Sequence, residues 1–488
     1  MGAMQNSVVL LVQLSSAPHA FRSLQRFQST SNPEVQVVKA CLHGMKRPSG
    51  HRNLVTIIGA TGKTKKRSKR NKKNGQSDDV LVHLSQSPAK MLDMTKQVLE
   101  DLGLMKGCAI EAQPTKYKPK AQRAGAVTMG SDCSGLGTER YALRLAGIKV
   151  VNKFASEINP HVQAMYQAIH GASDVVQKDA ASSPQDRGYV DVYVAGPPCQ
   201  SWSSMGKRLG LADLKGRGIV FFNCLDYVRK WKPRVVVFEN VIGLKKYFAN
   251  EFLDILTILK DSGYEVTWDE LNSIDHGVPQ TRGRIYIVAI AKESVRHKFT
   301  FAKKLRMPDL DMFLNTGDAM KAFPPPMGKT AMKNLRSQRK KLEETYVNPD
   351  QTTCLIDVFA SPKFAQSKVG ACPCITATRG SQGGFYITNR NRMTTMMELG
   401  RLQGWPTKCI LRMFNAPGVS RKQVGHSIGN GMTVNVMLRL LPRVLYSAGL
   451  IAEKPKDKWK HANFWNNEER AKYKQLPDDM YRDMYLEL

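Results

Sequence analysis

From about Ala126 to Ala289 short apolar runs alternate with longer amphipathic stretches, and no other feature constrains the fold as tightly. The pattern predicts strands at Ala126–Gly130, Val150–Ser156, Val190–Ala195, Arg234–Phe238, Gly263–Trp268 and Ile285–Ala289. Helices are predicted between them at Arg140–Ala146, Pro160–His170, Phe221–Trp231 and Phe248–Ser262. A helix between two strands makes a crossover, so the expected fold class is α/β, a doubly wound and mostly parallel sheet. Ligands of such sheets sit beyond the carboxyl ends of the strands.

Outside that region the pattern weakens. From about Ala291 to Lys368 Pro, Lys and Met are common, with Phe323-Pro-Pro-Pro-Met327 and a basic Lys333–Lys341 segment, and residues 291–420 read as a smaller, irregular domain. Apolar helical spacing returns over Gln423–Leu445, so residues 421–450 are expected to re-enter the first domain, at 126–290. Residues 451–488 form a charged, aromatic tail, and residues 1–125 a basic, largely disordered extension. Met1–Pro33 holds Arg22 and Arg26 but no acid, a composition common to organellar transit peptides and plain unstructured starts. The acid-free run Lys63-Thr-Lys-Lys-Arg-Ser-Lys-Arg-Asn-Lys-Lys73 suits nuclear import, phosphate binding or a solvated tail. The nucleus is the expected location, with an organelle as the alternative.

Charge narrows the partners. The chain carries 73 Lys and Arg against 41 Asp and Glu, a formal net charge of +32. Such an excess repels itself, and a polyanion is the usual partner that relieves it. Residues 1–126 hold 21 of the basic and 7 of the acidic residues, so 14 of the 32 units lie there and 18 on the remainder. The folded part is therefore basic in its own right. No run approaches the roughly 18 apolar residues of a membrane span, so no membrane partner is expected. The 9 cysteines, an odd number in no regular ladder, suit reduced thiols better than a disulfide framework.

Four segments carry candidate chemistry. Ser131-Asp-Cys-Ser-Gly-Leu-Gly-Thr-Glu139 runs from a strand into a helix, and Gly135 and Gly137 would let backbone approach a ligand. Glu157 ends the next strand, where an acid grips ribose hydroxyls in nucleotide-type sites, and Asp179 closes the third. In Gly196-Pro-Pro-Cys-Gln-Ser-Trp-Ser203 two prolines fix the backbone before Cys199, aiming its thiol at a strand end. Phe238-Glu-Asn-Val-Ile242 puts a carboxylate after an apolar strand, as a helix cap or a proton-handling group. Gln280-Thr-Arg-Gly-Arg284 places two arginines on one side of an extended segment, fit for an anion or a surface ion pair.

In this order and spacing, the segments resemble the cytosine-5 DNA methyltransferase family. The resemblance extends to Arg217-Gly218 before Phe221, Arg401-Leu-Gln-Gly-Trp-Pro406 and Gly429-Asn-Gly-Met-Thr-Val434, and covers about residues 126–445. It implies an S-adenosylmethionine-dependent methyltransferase fold with a smaller target-recognition domain, acting on double-stranded DNA as a monomer, without a metal. Cys199 would be the nucleophile on cytosine carbon 6, Glu239 would bond ring nitrogen 3, and Asn240 would support the cysteine loop. Arg282 and Arg284 would steady the cytosine and the nucleophile. Ser134, Gly135, Gly137, Glu157, Asp179, Val220 and Asn430 would line the cofactor site, which releases S-adenosylhomocysteine. The base would have to leave the duplex to be reached.

The chain departs from the family pattern at one place. An acid usual three residues before the Ser134 position and a phenylalanine just before it are replaced by Ser131 and Cys133, with Asp132 between. The resemblance thus supplies no stacking aromatic there. Cys372-Pro-Cys374 has no further Cys or His nearby and makes a poor zinc set. The family's transfer-RNA branch carries a Cys-Phe-Thr segment that this chain lacks. RNA cytosine methylation is the rival function, and a catalytically inactive DNA-binding regulator, which would be expected to lose Cys199 or Glu239, is the other.

Overall fold

The computed structural model describes residues 127–171, 187–198, 219–315 and 328–457, together with the backbone of strands at 8–15, 35–38, 54–61, 80–84 and 176–177. Contacts divide the chain into two units, Met1–Pro119 and Lys120–Leu488. The first holds β1 (Val8–Ser15), β2 (Val35–Val38), β3 (Leu54–Thr61) and β4 (Val80–Leu84), an antiparallel sheet of order β2-β3-β1-β4. Each of these strands is a run rich in β-branched residues or leucine. The basic run Lys63–Lys73 lies outside the described residues.

The second unit opens with β5 (Val127–Asp132), α1 (Thr138–Leu145), β6 (Val150–Ser156), α2 (Pro160–His170), β7 (Val176–Gln177) and β8 (Val192–Ala195). It continues through α3 (Ile219–Trp231), β9 (Val235–Val241), α4 (Gly243–Tyr247), α5 (Ala249–Asp261), β10 (Tyr264–Asn272) and β11 (Gly283–Ala291). The sheet order is β10-β11-β9-β8-β5-β6-β7. Pairings from β7 to β9 are parallel, and β11 runs antiparallel to both of its neighbours.

Alternation along each central strand builds two cores. Val192, Val194, Val235 and Val237 face one layer, and Tyr193, Ala195, Val236 and Phe238 face the other. All eight are buried, as expected of strands covered on both faces, and each such Val or Phe contributes roughly 1.5–3 kcal/mol. Helix α2 starts where it does because Asn159 Oδ1 accepts from the backbone of His161 and Val162 and Pro160 takes the first turn.

The smaller part contains α6 (Lys329–Glu344), β12 (Cys354–Ile356), β13 (Ser367–Val369), α7 (Ala377–Ser381), β14 (Tyr386–Ile387) and β15 (Arg392–Met393). Its four strands form an antiparallel sheet of order β13-β12-β14-β15, which packs on α6 through Leu335, Leu342, Ile356 and Tyr386. The chain then enters α8 (Met396–Leu402), α9 (Thr407–Phe414), α10 (Arg421–Asn430) and α11 (Val434–Ser447). The single helical stretch expected over Gln423–Leu445 is thus two helices, broken at Gly431-Met432-Thr433.

Helix α11 covers the first core through Val436, Leu440, Leu441 and Val444. Helices α8, α9 and α10 share one apolar cluster with Leu136, Tyr141, Met165 and Ile169 of the α1–α2 region. The chain therefore packs back onto the large sheet well before residue 421, the boundary its composition suggested. Leu399, Leu402, Trp405 and Ile410 need a large apolar surface to bury them, and helices α1 and α2 supply it.

Candidate active site

Carboxyl ends of β5, β8 and β9 converge on one edge of the sheet, and antiparallel β11 begins at that same edge. The pairing sets Tyr286 opposite Glu239 and Arg284 opposite Val241, so Glu239 and Arg284 are diagonal neighbours on one face. Arg284 Nε lies 3.2 Å from Glu239 Oε1, and both side chains are largely shielded from solvent. The other carboxylate oxygen of Glu239 is 3.7 Å from the position a Cβ on Gly196 would occupy, with Met432 Cε at 3.2 Å from it. Buried Asn240 donates from Nδ2 to the carbonyl of Pro197 at 3.3 Å. Glu239 and Asn240 stand inside β9, which runs three residues past the predicted end at Phe238. They therefore hold opposite faces of a rigid strand: one touches the start of the Gly-Pro-Pro turn and the other ties down its carbonyl. Cys199, the next residue after that turn, lies outside the described residues, as does Asp179.

The two arginines part company. Arg282 is only 3% exposed, and its guanidinium donates to the carbonyls of Ile375 (2.7 Å), Gly429 (3.1 Å) and Gly431 (2.8 Å). It clamps its own segment to residue 375 and to residues 429–431, while Arg284 pairs with Glu239.

Cys374 is the neighbour that sequence reasoning passed over. Its Sγ lies 3.8 Å from Arg282 Nη1 and 3.9 Å from Arg284 Nη2. Burial acts to raise the pKa of this thiol, but the guanidiniums of Arg284 and Arg282 outweigh it and hold the thiol below its ordinary range. The fold brings it there by bolting residues 372–375 to 279–282. Cys372 N donates to the Pro279 carbonyl, Thr281 N donates to the Cys372 carbonyl, and Ile375 N donates to Gln280 Oε1. Among the described residues no group of three His, Cys, Asp or Glu side chains could hold a metal ion.

Beside this cluster is the β5–α1 loop. Gly135 has φ +53° and open space where a Cβ would stand, and its N–H donates to Glu157 Oε2 at 3.2 Å. That is a cradle with an acid at its rim, fit for a polar ligand with hydroxyl donors. Burial raises the Glu157 pKa. Gly137, φ +68°, is closely packed, and a Cβ there would strike His170 and Tyr166. Ser134 Oγ shares a 2.7 Å hydrogen bond with Ser131 Oγ. Asp132 faces inward, bound by Arg187 and by Tyr193 Oη at 2.6 Å, so it does not replace the acid missing at Ser131. Asn430 is exposed at the end of α10, two residues before Met432, whose carbonyl accepts from Thr138 Oγ1 at 3.5 Å. Val220 stands half-buried in the first turn of α3.

A seven-stranded sheet of this order, with one reversed strand near its edge and a glycine loop after β5, is the S-adenosylmethionine-dependent methyltransferase fold. The chain belongs to the C-5 cytosine-specific DNA methylase family, whose profile matches residues 127–445. It is similar to the type II methyltransferase M.DsaV of Dactylococcopsis salina, 26% identical over 344 residues that span 64% of this chain and 84% of that protein. Similarity to M.HhaI of Haemophilus parahaemolyticus is 27% identity over 329 residues, 62% of this chain and 90% of that one. Among solved structures, the Dnmt2 methyltransferase of S. pombe shares 19% identity over 66% of this chain and 98% of its own, with a TM-score of 0.47. Membership makes the chain a DNA cytosine-5 methyltransferase by family, with methyl transfer to cytosine carbon 5 as its reaction.

Proposed function

We propose that the chain methylates cytosine in double-stranded DNA, through a covalent bond from Cys199 to a base turned out of the duplex. The observation that carries this reading is the meeting of Glu239, Arg284 and the Gly196-Pro197-Pro198 turn at one sheet edge, immediately before Cys199. The Cys199 thiolate adds to ring carbon 6, Glu239 hydrogen-bonds ring nitrogen 3 as charge develops there, and carbon 5 becomes enamine-like. S-adenosylmethionine, when bound, supplies an electrophilic methyl group. Loss of the carbon-5 proton then lets the carbon–sulfur bond break, restoring the aromatic ring and the thiolate. Arg284 holds Glu239 in place by its ion pair, and Asn240 steadies the turn that carries the nucleophile. Open space at Gly135, with Glu157 beside it, suits the cofactor's amino acid and ribose groups. Ser134, Val220 and Asn430 complete that side.

The absence of a Cys-Phe-Thr segment favours DNA over RNA, and the basic Lys63–Lys73 run favours a nuclear site of action. Incubating duplex DNA and, separately, transfer RNA with protein and cofactor, then measuring nucleosides by mass spectrometry, tests the reading. 5-Methyldeoxycytidine is the expected product. 5-Methylcytidine from the RNA alone would replace this reading with the RNA one.

A further inference from the structure

Helix α6 carries a charge pattern that folding alone does not explain. Its buried residues, Ala331, Asn334, Leu335, Gln338 and Leu342, form one face against the small sheet. On the opposite face Lys329, Lys333, Arg336 and Lys340 are all exposed. At 100° per residue these four fall within about 60° of arc, a single stripe about 16 Å long. Successive members are three or four residues apart, so each repels the next. The first turn holds no acid, and Lys329 and Lys333 sit toward the end of the helix where its dipole is already positive. Relief within the described residues is slight: Lys340 approaches Glu344 only to 4.0 Å, while Arg339, off the stripe, takes Asp350. A row of repelling cations held on a rigid rod fits a partner whose negative charges recur at short, regular intervals.

We propose that this stripe is a phosphate-contacting surface that grips the backbone of double-stranded DNA. The inference rests on the DNA reading above and assigns it a surface outside the cleft. Long, flexible lysines contacting phosphates position a duplex without reading its bases, so the stripe adds affinity and leaves the methylated sequence unchanged.

The test uses full-length protein with Cys199→Ser, so that no turnover intervenes, and measures duplex binding against salt concentration. Each lost phosphate contact removes about 0.9 from the slope of log affinity against log salt. Changing Lys329, Lys333, Arg336 and Lys340 to Gln should make that slope shallower by up to about 3.6, with the melting temperature unmoved. A control of equal charge changes exposed Lys149, Lys230, Lys232 and Lys260, which lie where helices return to the opposite edge of the sheet. The control should move the slope by less than about 1. An equal change in both variants would overturn the proposal, as would a loss of RNA binding without loss of DNA binding. If the stripe passes and no 5-methyldeoxycytidine is ever formed, the catalytic reading fails and this one stands.

Discussion

Glu239 and Arg284 come together because a reversed strand begins where a parallel one ends, and each residue can be tested separately from the fold. Glu239 faces the cleft and is not needed to bury apolar surface, so Glu239→Gln should keep the melting temperature within a few degrees. Methylation should nevertheless fall by roughly 10²–10⁴, the range for lost acid–base help. A variant that unfolds would show that the carboxylate is structural. Cys374 gives a second residue-scale prediction. Held low by Arg284 and Arg282, its thiol should react with iodoacetamide at a pH below that of an ordinary cysteine, read by mass spectrometry in a Cys199→Ser background. Reaction only above the ordinary thiol range would remove the guanidiniums' effect from the account. Glu239 and Asn240 were legible in sequence because they follow an apolar run. Cys374 was not, because residue 374 meets residues 282 and 284 only through the folded chain.

At the scale of elements, Arg282 is a clamp between the lead-in to β11, residue 375 and the α10–α11 turn. Arg282→Ala would remove the side-chain donor from the buried carbonyls of Ile375 and Gly429, while Gln403 Nε2 still serves that of Gly431, a loss of about 2–5 kcal/mol. Melting temperature and activity should therefore fall together, whereas Arg284→Ala should lose activity with the fold intact. Calorimetry on both variants separates the two roles. The first turn of α1 holds a pH-dependent element. Glu139 is fully buried, and burial pushes its pKa from 4.5 up to about 7 against the smaller opposing pull of its own backbone N–H and of Ser131. The unfolded chain releases this proton near 4.5 and the folded chain keeps it to about 7, so rising pH through that window favours unfolding. Glu139→Gln should remove up to about 3 kcal/mol of that loss, narrowing the stability gap between pH 5 and pH 8 in urea titrations. An unchanged gap would contradict the assignment.

The large sheet's strands were legible from β-branched runs, with Val150–Ser156 and Pro160–His170 matching the sequence reading end for end. The small sheet was not, because strands of two or three residues are too short to show a period. Helices α10 and α11 merged in sequence because only Gly431-Met432-Thr433 separates two apolar faces.

For the whole molecule, the basic charge is spread over both units, and its two parts should act alike on affinity. Removing residues 1–125 should weaken duplex binding and flatten its salt dependence, since fewer counterions are released. Sequencing the methylated sites should return the same motif before and after truncation, because contacts from a dense basic run to phosphates position the duplex without reading base edges. A changed motif would place sequence choice in the extension. The proposed chemistry turns on one thiol, at Cys199, bonding to cytosine in DNA. A duplex containing 5-fluorocytosine has no carbon-5 proton to lose, so elimination stops after methyl transfer and the adduct stays bonded. With cofactor present, full-length protein should give a protein–DNA band that survives a denaturing gel, and Cys199→Ser should give none. An equal band from Cys199→Ser, with the wild-type band present, would contradict the claim outright.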